Sequence, residues 1–84
     1  MKRHSDTSQF DQNRKDRETI NAVRHRLEHS RHKGLRRVKS KIYSGTITLS
    51  GHVPTEEDRE LAIDIVGSFE DVEGVIDNLE VVAP

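Results

Sequence analysis

The apolar residues of this 84-residue chain change their spacing along the sequence, and each spacing predicts a type of secondary structure. Within residues 16–32, Ile20, Val23 and Leu27 recur three and four positions apart, which places them on one stripe of an amphipathic helix. Acidic residues open this segment and basic residues close it, in the order that complements a helix dipole. Gly34 is a suitable C-terminal stop. The pattern therefore predicts a first helix over residues 16–32.

The following apolar residues alternate with polar ones, which is the pattern of half-buried strands. One alternating run covers residues 35–43 and the next covers residues 46–53. Ser44 and Gly45 separate them, and two such runs joined by a short Gly-containing turn predict a β-hairpin. Pro54 ends the second strand, because it has no N–H to donate to a ladder.

A second helix is predicted after Thr55, which is a favourable N-cap and is followed by acidic residues that suit the positive end of a helix. Its buried face is expected to contain Leu61, Ala62, Ile65, Val66 and Phe69. Gly74 then breaks the helix, and residues 75–82 alternate as a last strand. The predicted fold class is α+β, in the order α-β-β-α-β, with a three-stranded sheet and two helices packed on one face.

The domain organisation follows from length and composition. Residues 1–15 contain Phe10 as their one large apolar side chain apart from Met1, so they are predicted to form a flexible N-terminal tail. Residues 16–83 are predicted to form one small domain. Three glycines are assigned structural roles: Gly45 in the hairpin turn, Gly51 at a bulge or close approach late in the second strand, and Gly74 at the reversal into the last strand.

Two short motifs carry a family resemblance. Thr-Leu-Ser-Gly-x-Val covers residues 48–53, and Gly-Val-x-x-Asn-Leu-x-Val covers residues 74–81. Together with the apolar stripe of the first helix, they make residues 17–82 resemble the BON domain, a family named for bacterial osmotic-shock and nodulation proteins. The resemblance implies the α-β-β-α-β fold and a binding role, either at phospholipid surfaces or in protein contacts, in proteins that are mostly associated with the cell envelope.

Charge is distributed unevenly along the chain. Residues 1–41 contain 13 Lys and Arg against 5 Asp and Glu, whereas residues 42–84 contain one Arg against 10 Asp and Glu. The candidate lipid- or anion-binding residues are Arg24, Arg31, Lys33, Arg36, Arg37, Lys39 and Lys41. They could face anionic lipid headgroups, an acidic protein or nucleic-acid phosphates, or they could be a solvated face that protects a sheet edge.

The leading hypothesis is a non-enzymatic binding module that associates peripherally with anionic phospholipid through this basic face. The alternative is a protein–protein interaction or self-association module, since the basic and acidic halves could pair head to tail. Nucleic acid is a weaker candidate, because Tyr43 is the one aromatic residue of the basic region outside the N-terminal tail, and single-strand binders usually stack bases on several aromatic rings.

Metal, cofactor and catalytic chemistry receive little support from the sequence. His25, His29 and His32 would share one face of the predicted helix, but the neighbouring arginines would repel a cation, so no metal or cofactor is predicted. The same histidines could strengthen anion binding near pH 6. There is no nucleophile elbow and no phosphate-binding glycine loop. A core this small is also not expected to enclose a ligand pocket of several hundred Å³.

Localisation is predicted from what the sequence lacks. There is no apolar run of the roughly 20 residues that a membrane-spanning helix needs, and no apolar stretch follows the basic N-terminus as in a signal peptide. The expected location is the cytoplasm, with a peripheral position at the inner membrane under the lipid hypothesis.

Overall fold

The computed structural model describes residues 3–83, with side chains from residue 14 onward. The elements are helix α1 (Arg3–Glu28), a 3-10 helix (Lys33–Arg37), strand β1 (Lys39–Tyr43), strand β2 (Thr46–Val53), helix α2 (Glu56–Gly67) and strand β3 (Gly74–Val81). The predicted α+β class and the α-β-β-α-β order are confirmed.

The three strands form a mixed sheet in the order β1-β2-β3. Strand β1 pairs antiparallel with β2 through the hairpin, and β3 lies parallel to β2 because α2 carries the chain back across the sheet. Helix α1 packs over β1, and α2 packs over β3 and β2. Both helices cover the same face of the sheet, and the other face is open.

The core lies between the helices and the covered face of the sheet. It contains the predicted stripe of α1, the inward side chains of β2, two positions of α2 and one residue each from the 3-10 helix and β3. These residues are Ile20, Val23, Leu27, Leu35, Ile47, Leu49, Val53, Ala62, Val66 and Leu79. The predicted apolar positions Leu61, Ile65 and Phe69 pack against this core and are partly buried.

The bounds of the first helix differ from the prediction at both ends. Helix α1 begins at Arg3, within the segment predicted as a tail, and ends at Glu28 instead of residue 32. Residues 1 and 2 lie outside the described residues, and the flexibility of residues 1–15 stays a prediction. The early end has a local reason, because the Arg36 side chain donates two hydrogen bonds, at 3.2 and 3.1 Å, to the carbonyl of Ser30, beyond the last turn.

The prediction of a strand beginning at residue 35 is wrong. Residues Lys33–Arg37 form a 3-10 helix, and β1 begins at Lys39. Leu35 N donates to the carbonyl of His32 (2.9 Å), and Val38 N donates to that of Leu35 (3.2 Å). Leu35 and Val38 are three residues apart, which is the 3-10 repeat, so both turn toward the core from a helical segment that alternation cannot reveal.

The hairpin turn is held from helix α1. Ser44 and Gly45 have φ values of 46° and 85°, as in the two-residue type I′ turns that suit a twisted hairpin. The Asp16 carboxylate accepts from both backbone amides, with Ser44 N at 2.9 Å and Gly45 N at 3.1 Å. The sequence placed Asp16 at a helix N-terminus; in the structure it lies inside α1 and ties that helix to the turn.

The other two glycines differ from each other. Gly51 has a φ of 109°, and an added Cβ would lie 3.2 Å from the Arg37 carbonyl, so its backbone suits glycine. At Gly74 no positive φ is found, and an added Cβ would meet Thr46 at an ordinary 3.7 Å. The backbone at Gly74 would therefore accept alanine.

Candidate anion-binding surface

Five of the seven predicted basic residues line one groove between α1 and β1. This basic groove has a volume of about 730 Å³ and is open to solvent. It is lined by Arg24, Glu28, Arg36, Arg37, Val38, Lys39, Ser40, Lys41 and Ser50. Five cations against one carboxylate give it a strongly positive lining, with Val38 as its one apolar residue.

Two of these guanidinium groups are positioned by backbone carbonyls. Arg24 Nη2 donates to the carbonyl of Ser40 in β1 at 3.2 Å, so the side chain reaches from α1 to the edge strand. Arg36 donates through Nε and Nη2 to the carbonyl of Ser30. Each guanidinium has five N–H donors, so both groups keep donors that can point at an anion.

The remaining two predicted residues lie elsewhere. Arg31 lines a separate depression beside Leu61 and Ile65 of α2. Lys33 lines a cleft at the other side of the 3-10 helix. Arg37 lines both this cleft and the basic groove, so the two are adjacent.

The second cleft was not predicted from the sequence. This apolar cleft has a volume of about 480 Å³ and lies at the carboxyl ends of β2 and β3. It is lined by Lys33, Gly34, Arg37, His52, Val53, Pro54, Val82 and Ala83. Its residues come from three separate segments, which are brought together by the parallel pairing of β2 with β3 and by the packing of the 3-10 helix on β2.

The histidines do not share one helix face as predicted. His25 and His29 stack on α1 with ring centroids 4.2 Å apart, and His29 Nδ1 lies 3.0 Å from the carbonyl of His25. His32 lies beyond the end of α1, at the start of the 3-10 helix. Within the described part of the chain, no group of three or more His, Asp or Glu side chains is arranged to hold a metal ion.

The acidic half of the chain contains its own internal ion pair. Arg59 on α2 donates to Asp77 Oδ2 from Nε at 2.7 Å and from Nη2 at 2.6 Å, and it also contacts Glu56. The hydrogen bond to Asp77 is the main cause of the raised pKa of Arg59. The hydrogen bond from Arg59, followed by that from Leu79 N, lowers the pKa of Asp77. The one cation of residues 42–84 is therefore bound internally, which leaves this end of the sheet acidic.

Side chains also occupy backbone groups on both edge strands. Arg24 binds the carbonyl of Ser40 on β1, and Asp77 Oδ1 accepts from Leu79 N on β3 at 3.0 Å. Lys39 and Lys41 are additionally exposed on β1. Lysines and an inward-facing charge are devices that discourage edge-to-edge strand pairing. The surfaces left for partners are therefore the grooves and the open face of the sheet, where Tyr43 and Ile76 are exposed.

None of the helices in the described range is long and apolar enough to cross a membrane. A family model described as the BON domain matches residues 15–83. A search of curated proteins gave no match.

Proposed function

The chain belongs to the BON domain family, and from this membership we propose that it associates peripherally with anionic phospholipid surfaces through the basic groove. The family is one of binding modules for phospholipid or protein and is not a catalytic family. The protein is therefore a binding module, and the proposal concerns what it binds and with which residues.

The observation that carries the proposal is the composition of the basic groove. Arg24, Arg36, Arg37, Lys39 and Lys41 line one continuous surface with a single apolar residue among them. A protein interface usually has an apolar core, whereas a layer of anionic headgroups requires mainly positive charge. Each Lys or Arg near such a surface contributes about 1 kcal/mol, so five together are sufficient for salt-sensitive binding.

Sedimentation with lipid vesicles tests the proposal. Vesicles of equal parts phosphatidylglycerol and phosphatidylcholine should bind the protein at about 0.1 M salt and release it at about 1 M, where the Debye length falls from about 10 Å to about 3 Å. Vesicles of phosphatidylcholine alone should not bind it. The double variant Lys39→Gln/Lys41→Gln should weaken binding by about 2 kcal/mol, which is about 30-fold.

A matched variant on α1 controls for total charge. Lys15 and Arg26 are exposed and eleven residues apart, so they share one face of the helix, about half a turn away from Arg24. Lys15→Gln/Arg26→Gln removes the same charge as the groove variant but should retain most of the binding. Equal losses in the two double variants, or binding to phosphatidylcholine alone, would contradict a site in the basic groove.

Self-association is a second candidate function, supported by the way the fold sorts charge. Helix α1 and β1 place the basic residues at one end of the sheet, while α2 and β3 place the acidic residues at the other. Opposite charges at the two ends favour a head-to-tail contact between copies. Such a contact would use the basic groove and would therefore compete with lipid.

A further inference from the structure

We propose that the apolar cleft holds a single anionic phospholipid molecule, with its phosphate on Lys33 and Arg37 and an acyl chain on Pro54, Val82 and Ala83. This inference rests on the proposed function, because it names the same class of ligand. The proposal adds a site that binds one lipid molecule per protein. The neighbouring basic groove, by contrast, attracts any anionic surface through charge alone.

The chemistry of the cleft matches an amphiphilic anion. Its cations, Lys33 and Arg37, both come from the 3-10 helix. Its accessible apolar part consists of Pro54 after β2 and of Val82 and Ala83 after β3, whereas Val53 is almost fully buried in the core. Charge on one side and apolar surface on the other suit a ligand that has one anionic group joined to a hydrocarbon chain. The volume of about 480 Å³ lies within the range of about 300–1,000 Å³ found for small-molecule sites.

Two of the four exposed large apolar side chains in the described range lie at this end of the fold. Val81, the last residue of β3, is 43% exposed, and Val82, which follows it and lines the cleft, is 50% exposed. The backbone keeps this segment in place, since Val82 N donates to the carbonyl of Val53 at 2.8 Å. Apolar surface that is held in the open and bordered by charge is typical of a ligand-binding surface.

The position of the cleft in the fold supports the same conclusion. Strands β2 and β3 are parallel, and the cleft lies where both end. The parallel pairing therefore brings the ends of both strands side by side at the cleft. Arg37 lines both the cleft and the basic groove, so a lipid in the cleft would leave its neighbours in the membrane in reach of the groove.

An amide-shift titration by NMR tests the inference on the full chain. The probe is dihexanoylphosphatidylglycerol below its micelle concentration, compared with inorganic phosphate, hexanoate and dihexanoylphosphatidylcholine. The expected result is saturable shifts of residues 33–37, 52–54 and 82–83 with the anionic lipid. Phosphate and hexanoate should each bind at least about tenfold more weakly, because each satisfies only one part of the cleft.

Two variants separate this site from its surroundings. Val82→Ser removes an exposed apolar side chain and should weaken binding of the monomeric lipid by about tenfold. Ile76→Ser removes a comparably exposed side chain from the open face of the sheet and should have no effect. Lys33→Gln should weaken binding of the lipid and of phosphate alike.

Vesicle sedimentation in parallel distinguishes the two proposals. Vesicle binding without shifts from the monomeric lipid would overturn the cleft site and leave the basic groove standing. Equal binding of phosphate and lipid, or equal losses in Val82→Ser and Ile76→Ser, would also overturn the cleft site. Shifts confined to the cleft in a protein that does not bind vesicles would overturn the groove proposal and retain a site for single anionic lipids.

Discussion

Asp77 lies on an edge strand at a position where the alternation of β3 would place an apolar side chain. Its register partner on β2 is the buried Leu49, and its neighbour on the same face is Leu79. The carboxylate is accommodated there because Arg59 and Leu79 N both donate to it. A charge that is paired in this way keeps the edge polar and links α2 to β3.

The lowered pKa of Asp77 makes its contribution to stability depend on pH. The hydrogen bond from Arg59, and then that from Leu79 N, lowers this pKa in the folded state. Stabilisation is therefore complete above the unfolded-state pKa of about 3.9 and is lost as the pH falls through the lower folded-state pKa. We expect Asp77→Asn to lower the free energy of unfolding by about 1–2 kcal/mol near neutral pH.

Urea unfolding at a series of pH values measures this effect. The difference between the wild-type protein and Asp77→Asn should be constant between about pH 7 and pH 5 and should shrink below about pH 4. Asp71→Asn, at an exposed position in the turn after α2, is the control and should change stability little. A difference that persists unchanged at low pH would show that the ionised carboxylate is not the source of the stabilisation.

At the scale of elements, the hairpin depends on Gly45. Its φ of 85° is unfavourable for residues with a Cβ, and an added Cβ would lie 3.1 Å from Glu73 Cγ. We expect Gly45→Ala to lower the free energy of unfolding by at least about 1 kcal/mol in urea titrations, mainly through the backbone conformation. Gly74→Ala should be neutral or slightly stabilising, by up to about 1 kcal/mol. Equal effects of the two substitutions would contradict this assignment.

The main elements could be predicted because their patterns are local. Three apolar residues on α1 specify its buried stripe, and alternation specifies the hairpin and β3. The 3-10 helix was missed because a single short turn has no repeat of its own; its one local sign is that Leu35 is out of phase with the alternation of Val38, Ser40 and Ile42. The role of Asp16 could not be predicted from local patterns either, because its partners Ser44 and Gly45 are 28 and 29 residues away along the chain.

The same distinction explains which parts of the candidate site could be predicted. Most of the basic set is contiguous between residues 31 and 41, so composition alone identifies it. The 3-10 helix then directs Lys33 into the apolar cleft and Arg36 into the basic groove. The apolar cleft itself requires β3 beside β2, a pairing that a list of short motifs does not specify.

For the whole molecule, charge separation matters more than the net charge of −1. Because the strand order is β1-β2-β3, the basic half of the sequence lies at one edge of the sheet and the acidic half at the other. A nearly neutral molecule has little overall repulsion between copies, so the attraction between unlike ends is not opposed at long range. The contacts of Arg24 and Asp77 on the two edge strands disfavour a continuous sheet between copies.

We therefore expect weak and reversible head-to-tail association that depends on ionic strength. Sedimentation velocity should show a mass that rises with protein concentration at about 0.01 M salt, where the Debye length is about 30 Å, and a monomer at about 0.15 M, where it is about 8 Å. Lys39→Glu/Lys41→Glu should abolish the association by removing the basic partner. The control Lys15→Glu/Arg26→Glu changes net charge equally but lies away from the basic groove, so it should retain association. A monomer under all conditions would exclude self-association. Association that salt does not reverse would indicate an apolar contact, either through Tyr43 and Ile76 on the open face of the sheet or through Val81 and Val82 at the end of β3.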